Sequence, residues 1–355
     1  MTRRFLLSIF VLFMSVTLIL TGCGAQKEPK EALKNAAAAA LNMDSYVSKS
    51  HIKITDLTLD ASAFAGVGEI YSMLKDSDIT LTQVYQKEPM QTEASLEVKL
   101  KGDFSGTITF QYVMTQDKIY VKVPKIPFLP IPDKVVGKFV AVDLNELKNT
   151  GLGNFNAELL DTDKTQRFVA ELADVILTEY ESETYLKDIP TKEIELPEGI
   201  EAKQVVQFYI HNDNLREALT TLVNHVLPQA LDIVAKDEYR KLLQFTPKEI
   251  EKAKKELAEL DQEEFQKDLD DVQKDLIIHK FYVNTAIDKN DYPAYQEAVA
   301  DIEFKDPDTG EEVKLVMEVK TEFTSINEKP EFSVGIPQNT ITVQEFVQEM
   351  TELGY

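Results

Sequence analysis

Only one cysteine occurs in the 355-residue chain, Cys23, and tryptophan is absent. A single thiol excludes an intramolecular disulfide framework and any CxxC-type metal or redox site. Histidine is nearly as scarce: His51, His211, His225 and His279 are scattered, and none falls in an HExxH or HxH spacing. There is no P-loop, no GxGxxG and no GxSxG elbow, and Gly66-Val67-Gly68 reads as a flexible loop. Positive charge is in deficit as well. Beyond residue 22 the chain carries 36 basic against 61 acidic side chains, a net charge of −25. That excludes nucleic acid, whose binding needs basic patches to displace counterions. It also excludes adsorption to anionic lipid by charge alone. Among so many acids no catalytic carboxylate pair stands out. The expectation is a chain that is not an enzyme, with no cofactor and no metal.

What is present begins at the N-terminus. Arg3 and Arg4 form a short positive segment, and residues 5–20 (FLLSIFVLFMSVTLIL) are apolar without a charge. This run is shorter than the roughly 20 residues a spanning helix needs, so it reads as an export signal. It ends in Leu20-Thr21-Gly22-Cys23, which resembles the bacterial lipobox at every position. The resemblance implies diacylglyceryl transfer to the Cys23 thiol, cleavage before Cys23, and a mature chain held at the extracytoplasmic face of a cell membrane. One acyl chain holds a protein only marginally, whereas two or more give a stable anchor. No second apolar run is long enough to span a bilayer. The expected organisation is a signal peptide at 1–22, a lipidated tether at 23–30 and one large domain at 31–355.

Along that domain, residues 31–43 have strong helix propensity behind Pro29. Period-two alternation follows, the signature of strands with one buried face. Leu96, Val98 and Leu100 share a face, as do Ile108, Phe110, Tyr112 and Met114, and then Ile119, Val121 and Val123. Helical spacing covers 164–180 and 215–243, where Pro228 should kink or break the helix. Thr246-Pro247-Lys248-Glu249 has the residues of a capping box, and its helix is expected to run to about residue 270. Alternation returns with Ile277, His279, Phe281 and Val283 on one face, then Ala298, Ala300, Ile302 and Phe304. A short strand at 332–334 and a helix at 343–353 close the chain. The fold class expected is α+β: a curved antiparallel sheet, an incomplete barrel, with helices packed on its concave face and a helical insertion at about 213–272.

This order behind a lipobox, with a helix at 30–41 leading into MDSYVSKSHIKI at 43–54, resembles the LolA/LolB-like lipoprotein-carrier superfamily of LppX/LprG type. The resemblance implies an incomplete barrel plugged by helices around an apolar cavity for lipid or acyl chains. Leu219, Leu222 and Val226 on the long helix would line it.

Residues 124–132 (PKIPFLPIP) join four prolines to the apolar Ile126, Phe128, Leu129 and Ile131. Such a loop cannot enter a sheet ladder. It is either packed on the core or serves as a lid or rim of a cavity, or a membrane-touching edge. Asp306, Asp308 and Glu311, and Asp288, Asn290 and Asp291, lack full calcium-loop spacing and read as turn residues. His225 and His279 are expected to be partly buried and satisfied. Two functions fit these readings. One is a membrane-anchored lipoprotein that binds or carries a hydrophobic ligand; the other is an envelope scaffold with a solid core, its protein partner unknown.

Overall fold

A computed structural model of the chain describes residues 27–58, 77–100, 105–126, 129–144, 162–305, 310 and 312–352. The segment read as a signal peptide, Leu20, Thr21, Gly22 and Cys23 of the lipobox-like motif, and the acids Asp306, Asp308 and Glu311 lie outside them.

The element order is α1 (Pro29–Ala40), β1 (Ser45–Thr58), β2 (Asp78–Gln86), β3 (Gln91–Leu100), β4 (Gly106–Thr115), β5 (Lys118–Lys122) and β6 (Phe139–Asp143). Then come α2 (Thr162–Glu179), α3 (Ser182–Tyr185), β7 (Leu186–Ile189), β8 (Gln204–Tyr209), α4 (Asn212–Thr221), α5 (Leu227–Val234), α6 (Asp237–Leu242), α7 (Pro247–Ala258) and α8 (Gln262–Asp275). The chain closes with β9 (Leu276–Ile287), β10 (Pro293–Lys305), β11 (Glu312–Thr324), β12 (Thr340–Thr342) and α9 (Val343–Thr351). The fold is α+β. Twelve strands form one sheet in the order β12-β6-β5-β4-β3-β2-β1-β11-β10-β9-β8-β7. It is mostly antiparallel, with β12 parallel to β6, and it is not closed. Its two edge strands are short, which limits the unpaired backbone offered to another chain.

The described residues divide into two compact units: unit one takes 27–42, 56–58 and 162–318, and unit two takes 43–55, 77–144 and 319–352. In unit one the helices bury their apolar stripes against β8, β9 and β10. Leu215, Leu219, Leu222 and Val226 pack with Phe208, Phe281, Ile302 and Phe265 in one continuous buried cluster. Pro29 opens α1, whose Ala32 and Leu33 enter the same core while Ala36 is also buried. Lys30 donates from Nζ to the Thr178 carbonyl at 3.0 Å, capping the C-terminus of α2 where a cation is favoured.

Pro228 acts as its chemistry requires. It has no N–H to return to the carbonyl four residues earlier, and the turn before it, Leu222–Val226, widens to π spacing. The Thr246–Glu249 capping box forms reciprocally: the Glu249 N–H reaches Thr246 Oγ1 at 3.2 Å, and Glu249 Oε2 accepts from the Thr246 N–H at 2.7 Å. The helix it opens does not run to residue 270. It stops at Ala258, and Asp261 caps a new helix by accepting from the Glu263 and Glu264 N–H groups at 2.9 and 3.0 Å. A local side-chain acceptor here outcompetes helix continuation.

The face expected for β9 is also corrected. Lys280 pairs with Asp301 while Ile278 pairs with Ile302, so His279 is an extra residue in the ladder. That bulge reverses the alternation: Leu276, Ile278, Phe281 and Val283 are buried, and Ile277 and His279 are exposed.

In unit two the first five strands form an antiparallel meander. No strand forms at 332–334. β11 lies beside β1 and β12 beside β6, so residues 325–339 must cross the intervening strands. That crossing is pegged first at the start of β1 and again on β3. Asn327 Oδ1 accepts from the Asp44 N–H at 2.7 Å, and Ser45 Oγ donates to the Glu328 carbonyl at 2.6 Å. Farther on, the carboxylate of Glu93, 8% exposed, accepts from the N–H groups of Ser333, Val334 and Gly335 at 3.2, 2.9 and 3.1 Å, and from Ser333 Oγ. Three successive amides around one anion make a nest. Gly335 has φ +64°, the left-handed region that suits glycine.

Candidate functional site

Antiparallel pairing fixes which residues share a face, because directly opposed residues point the same way. In unit two one row is Ile52, Ile79, Val98 and Ile108. The next is Ser50, Leu81, Leu96 and Phe110, and the next Ser48, Gln83, Ala94, Tyr112 and Val121. The last, Tyr46, Tyr85, Thr92, Met114 and Ile119, is the best covered, with Phe323 edge-on to Tyr46 at 5.7 Å.

These four rows make one face with no charged side chain among them. Its interior is only partly shielded. Ile52, Ile79, Leu81, Leu96, Val98 and Tyr112 are half-buried, while Phe110 is 37% and Val121 39% exposed. On the reverse face, Lys49, His51, Lys53, Glu97 and Lys99 meet solvent, as the alternation requires. A partly solvated, uncharged and largely apolar surface of neighbouring side chains is a place where another apolar body gains by displacing water.

The residues singled out from the sequence fall elsewhere. Leu219, Leu222 and Val226 are 3%, 3% and 4% exposed, packed within the unit-one core. The 124–132 loop belongs to unit two. Ile131 packs against Val123, Val135 and Val140, Ile126 is half-buried and Leu129 is 47% exposed. Phe128 lies outside the described residues. The two groups thus belong to different units. Phe110 and Val121 were visible in the sequence only as members of alternating runs, which mark a face and not its degree of cover.

Unit one also has an open groove of about 450 Å³, lined by Leu41, Arg167, Ala170, Glu171, Asp174, Val175 and Ile233. Its charged rim is already paired. Asp174 meets Lys34 at 2.7 Å, Glu171 accepts from the Tyr239 hydroxyl at 2.8 Å and from Lys236, and Arg167 lies 3.9 Å from Glu238. Burial first, and then the Glu171 hydrogen bond, push the Tyr239 hydroxyl up to about 12. The groove therefore has no uncommitted charge to orient a ligand.

The histidines do structural work or face solvent. His211 caps α4, its Nδ1 accepting from the Asn214 N–H at 3.2 Å. His225 and His279 are not partly buried as expected: their side chains are 60% and 48% exposed, near Glu179 and Glu303. The π-spaced turn rotates His225 off the buried stripe, and the bulge does the same for His279. Asp288 spends its Oδ1 on the Asn290 and Tyr292 N–H groups, both at 2.8 Å, in the β9–β10 turn, and Asp291 pairs with Lys203. Among the described residues no group of three or more His, Cys, Asp or Glu side chains is arranged to hold a metal. In comparisons with known proteins, no family model, no curated protein and no solved structure matches this chain.

Proposed function

We propose that this chain is a non-enzymatic extracytoplasmic lipoprotein, anchored to a membrane by lipid on Cys23, that binds a hydrophobic ligand on the apolar sheet face of unit two. The observation that carries the reading is the uncharged β1–β5 face, whose Phe110 and Val121 are more than a third exposed beside half-buried Leu81, Leu96 and Val98. A fully buried methylene contributes about 0.8 kcal/mol, and each methylene laid on such a surface contributes the share of that set by the area it hides from water. Within the same face, Gln83 and Tyr112 are half-buried polar side chains that offer hydrogen bonds to a polar head. This surface replaces the α4–α5 side chains as the ligand wall, and it keeps the carrier function that the lipoprotein-carrier resemblance implies.

A second reading, an envelope scaffold, draws support from the filled core around Leu219, Leu222 and Val226. Photo-crosslinking separates the two. The full chain, reconstituted in phosphatidylglycerol vesicles containing a diazirine-bearing acyl lipid, should crosslink on peptides from β2 to β5. Phe110→Asp with Val121→Asp should remove most of that labelling without unfolding the chain. No labelling of these strands, or labelling indifferent to the double substitution, refutes ligand binding here and leaves the scaffold.

A further inference from the structure

Lys27 is fastened to unit one by a buried side chain. Gln204, 2% exposed at the start of β8, donates from Nε2 to the Lys27 carbonyl at 2.9 Å and to Asp188 Oδ1 at 2.7 Å. Four Cα-to-Cα steps separate Lys27 from Cys23. Even fully extended, they span at most about 14 Å. Lys27 is therefore held within that distance of the lipid-bearing residue, and the surface around Lys27 is held near it.

The strand registers identify that surrounding. Gln204 pairs with Ile287, and Ile287 with Pro293, so β8 begins where β9 ends and β10 begins. The β7–β8 connection, 190–203, and the β9–β10 turn, 288–292, lie at this same end of the strands. The connection is folded down rather than projecting: Ile194, Leu196, Ile200 and Ala202 pack on Val205, Ala286 and Tyr295. Its outward side is hydrophilic, with Lys192, Glu193, Glu195, Glu198 and Glu201 all exposed. β10 is 13 residues long, so its opposite end at Lys305 lies about 40 Å away at the usual strand rise.

We infer that the 190–203 and 288–292 end of unit one faces the bilayer and meets its lipid headgroups without entering the hydrocarbon. The occupant follows from the short span between Cys23 and Lys27, and the charged outward side of 190–203 rules out insertion, because ionised side chains strongly disfavour hydrocarbon. This orientation rests on the lipid anchor proposed above.

Because the one native thiol is the lipidated Cys23, a single engineered cysteine is the only free thiol to label. Glu198→Cys and Lys305→Cys, each carrying a fluorescent donor, are reconstituted as full chains into phosphatidylcholine vesicles with a headgroup-attached acceptor. Transfer from position 198 should exceed that from position 305 several-fold. Inserting twelve Gly/Ser residues between positions 26 and 27 should erase most of the difference. Equal transfer at the two positions, or more at 305, overturns the orientation while the anchor stands. If Cys23→Ala floats with the vesicles as well as the parent chain, the anchor fails and the orientation with it.

Discussion

Replacing Glu93 tests whether the crossing segment of unit two is held by a single carboxylate. Glu93 sits on β3 in a row with Val47, Val84, Val113 and Tyr120, so nothing else in that row can accept a hydrogen bond from residues 333–335 through its side chain except the Tyr120 hydroxyl at the row's end. Its Oε1 serves the Ser333 N–H and hydroxyl, and its Oε2 serves the Val334 and Gly335 N–H groups. Glu93→Gln keeps the shape but turns one oxygen into an NH₂ that faces donors, losing two acceptors' worth of bonding. Hydrogen bonds to a charged group are worth about 1.5–3 kcal/mol each and do not add fully, so about 2–4 kcal/mol is expected. Glu93→Ala, which strands all four donors, should cost about 3–5 kcal/mol. The Glu93→Gln value is below the roughly 5–15 kcal/mol that holds a domain together, so that variant should keep its fold. At about 1.4 kcal/mol per tenfold, amide exchange at 333–335 in Glu93→Gln should accelerate about 30- to 700-fold. Hydrogen exchange read by mass spectrometry on peptides covering 330–338 measures this directly. If those amides exchange as in the parent chain, or speed up no more than the strands beneath them, the carboxylate is not the peg.

Two buried tyrosines should respond in opposite directions. The Tyr185 hydroxyl is buried and has no hydrogen-bond partner among the described residues, whereas the Tyr180 hydroxyl donates to the Ala218 carbonyl at 2.9 Å. Tyr185→Phe should therefore raise stability by about 1 kcal/mol, and Tyr180→Phe should lower it by about as much, read as shifts of the urea midpoint. Thr246→Ala should cost about 1 kcal/mol by deleting the α7 cap. The backbone and then the hydroxyl of Thr246 hold the Glu249 carboxyl below its ordinary value of 4.5. The sign follows: this contribution is complete above about pH 4.5 and fades as pH falls through the lower folded-state value. Glu249→Gln should lose that acid-side dependence, measured as a flatter melting temperature against pH, and an unchanged slope refutes the assignment.

Much of the architecture was legible from local chemistry. The Thr246–Glu249 cap, the helix read over 164–180 and found at 162–179, and the alternating strands of unit two follow from side-chain spacing within a few residues, where period and burial agree. The misreadings share a different origin. At Asp261 a three-residue cap interrupts a stretch whose charge pattern alone looks continuous. At His279 one extra residue in the ladder flips every later side chain, and that insertion is defined only by the partner strand. Glu93 is indistinguishable from the solvated acids around it until residues 240 positions later arrive overhead. The apolar β1–β5 face was visible as alternation. How much of it stays open depends on which elements land on it, and no property of β4 or β5 alone encodes that.

The strand trio β8, β9 and β10 bears a chain of amides and acid: Gln207 Nε2 donates to Asn284 Oδ1 at 2.8 Å, and Asn284 Nδ2 donates to Glu297 Oε2 at 2.9 Å. All three residues are directly opposed in the ladders, and Asn284 is only 2% exposed. Sliding β9 by two residues would leave every apolar side chain on its proper face, so hydrophobic patterning is blind to that error. The polar chain is not. Misaligned, Asn284 would be trapped without donor or acceptor, at about 1–3 kcal/mol for each stranded group. These three side chains thus act as a proofreading mark on strand alignment. They make near-miss pairings unstable while the chain is still assembling, even though they add little to the finished fold.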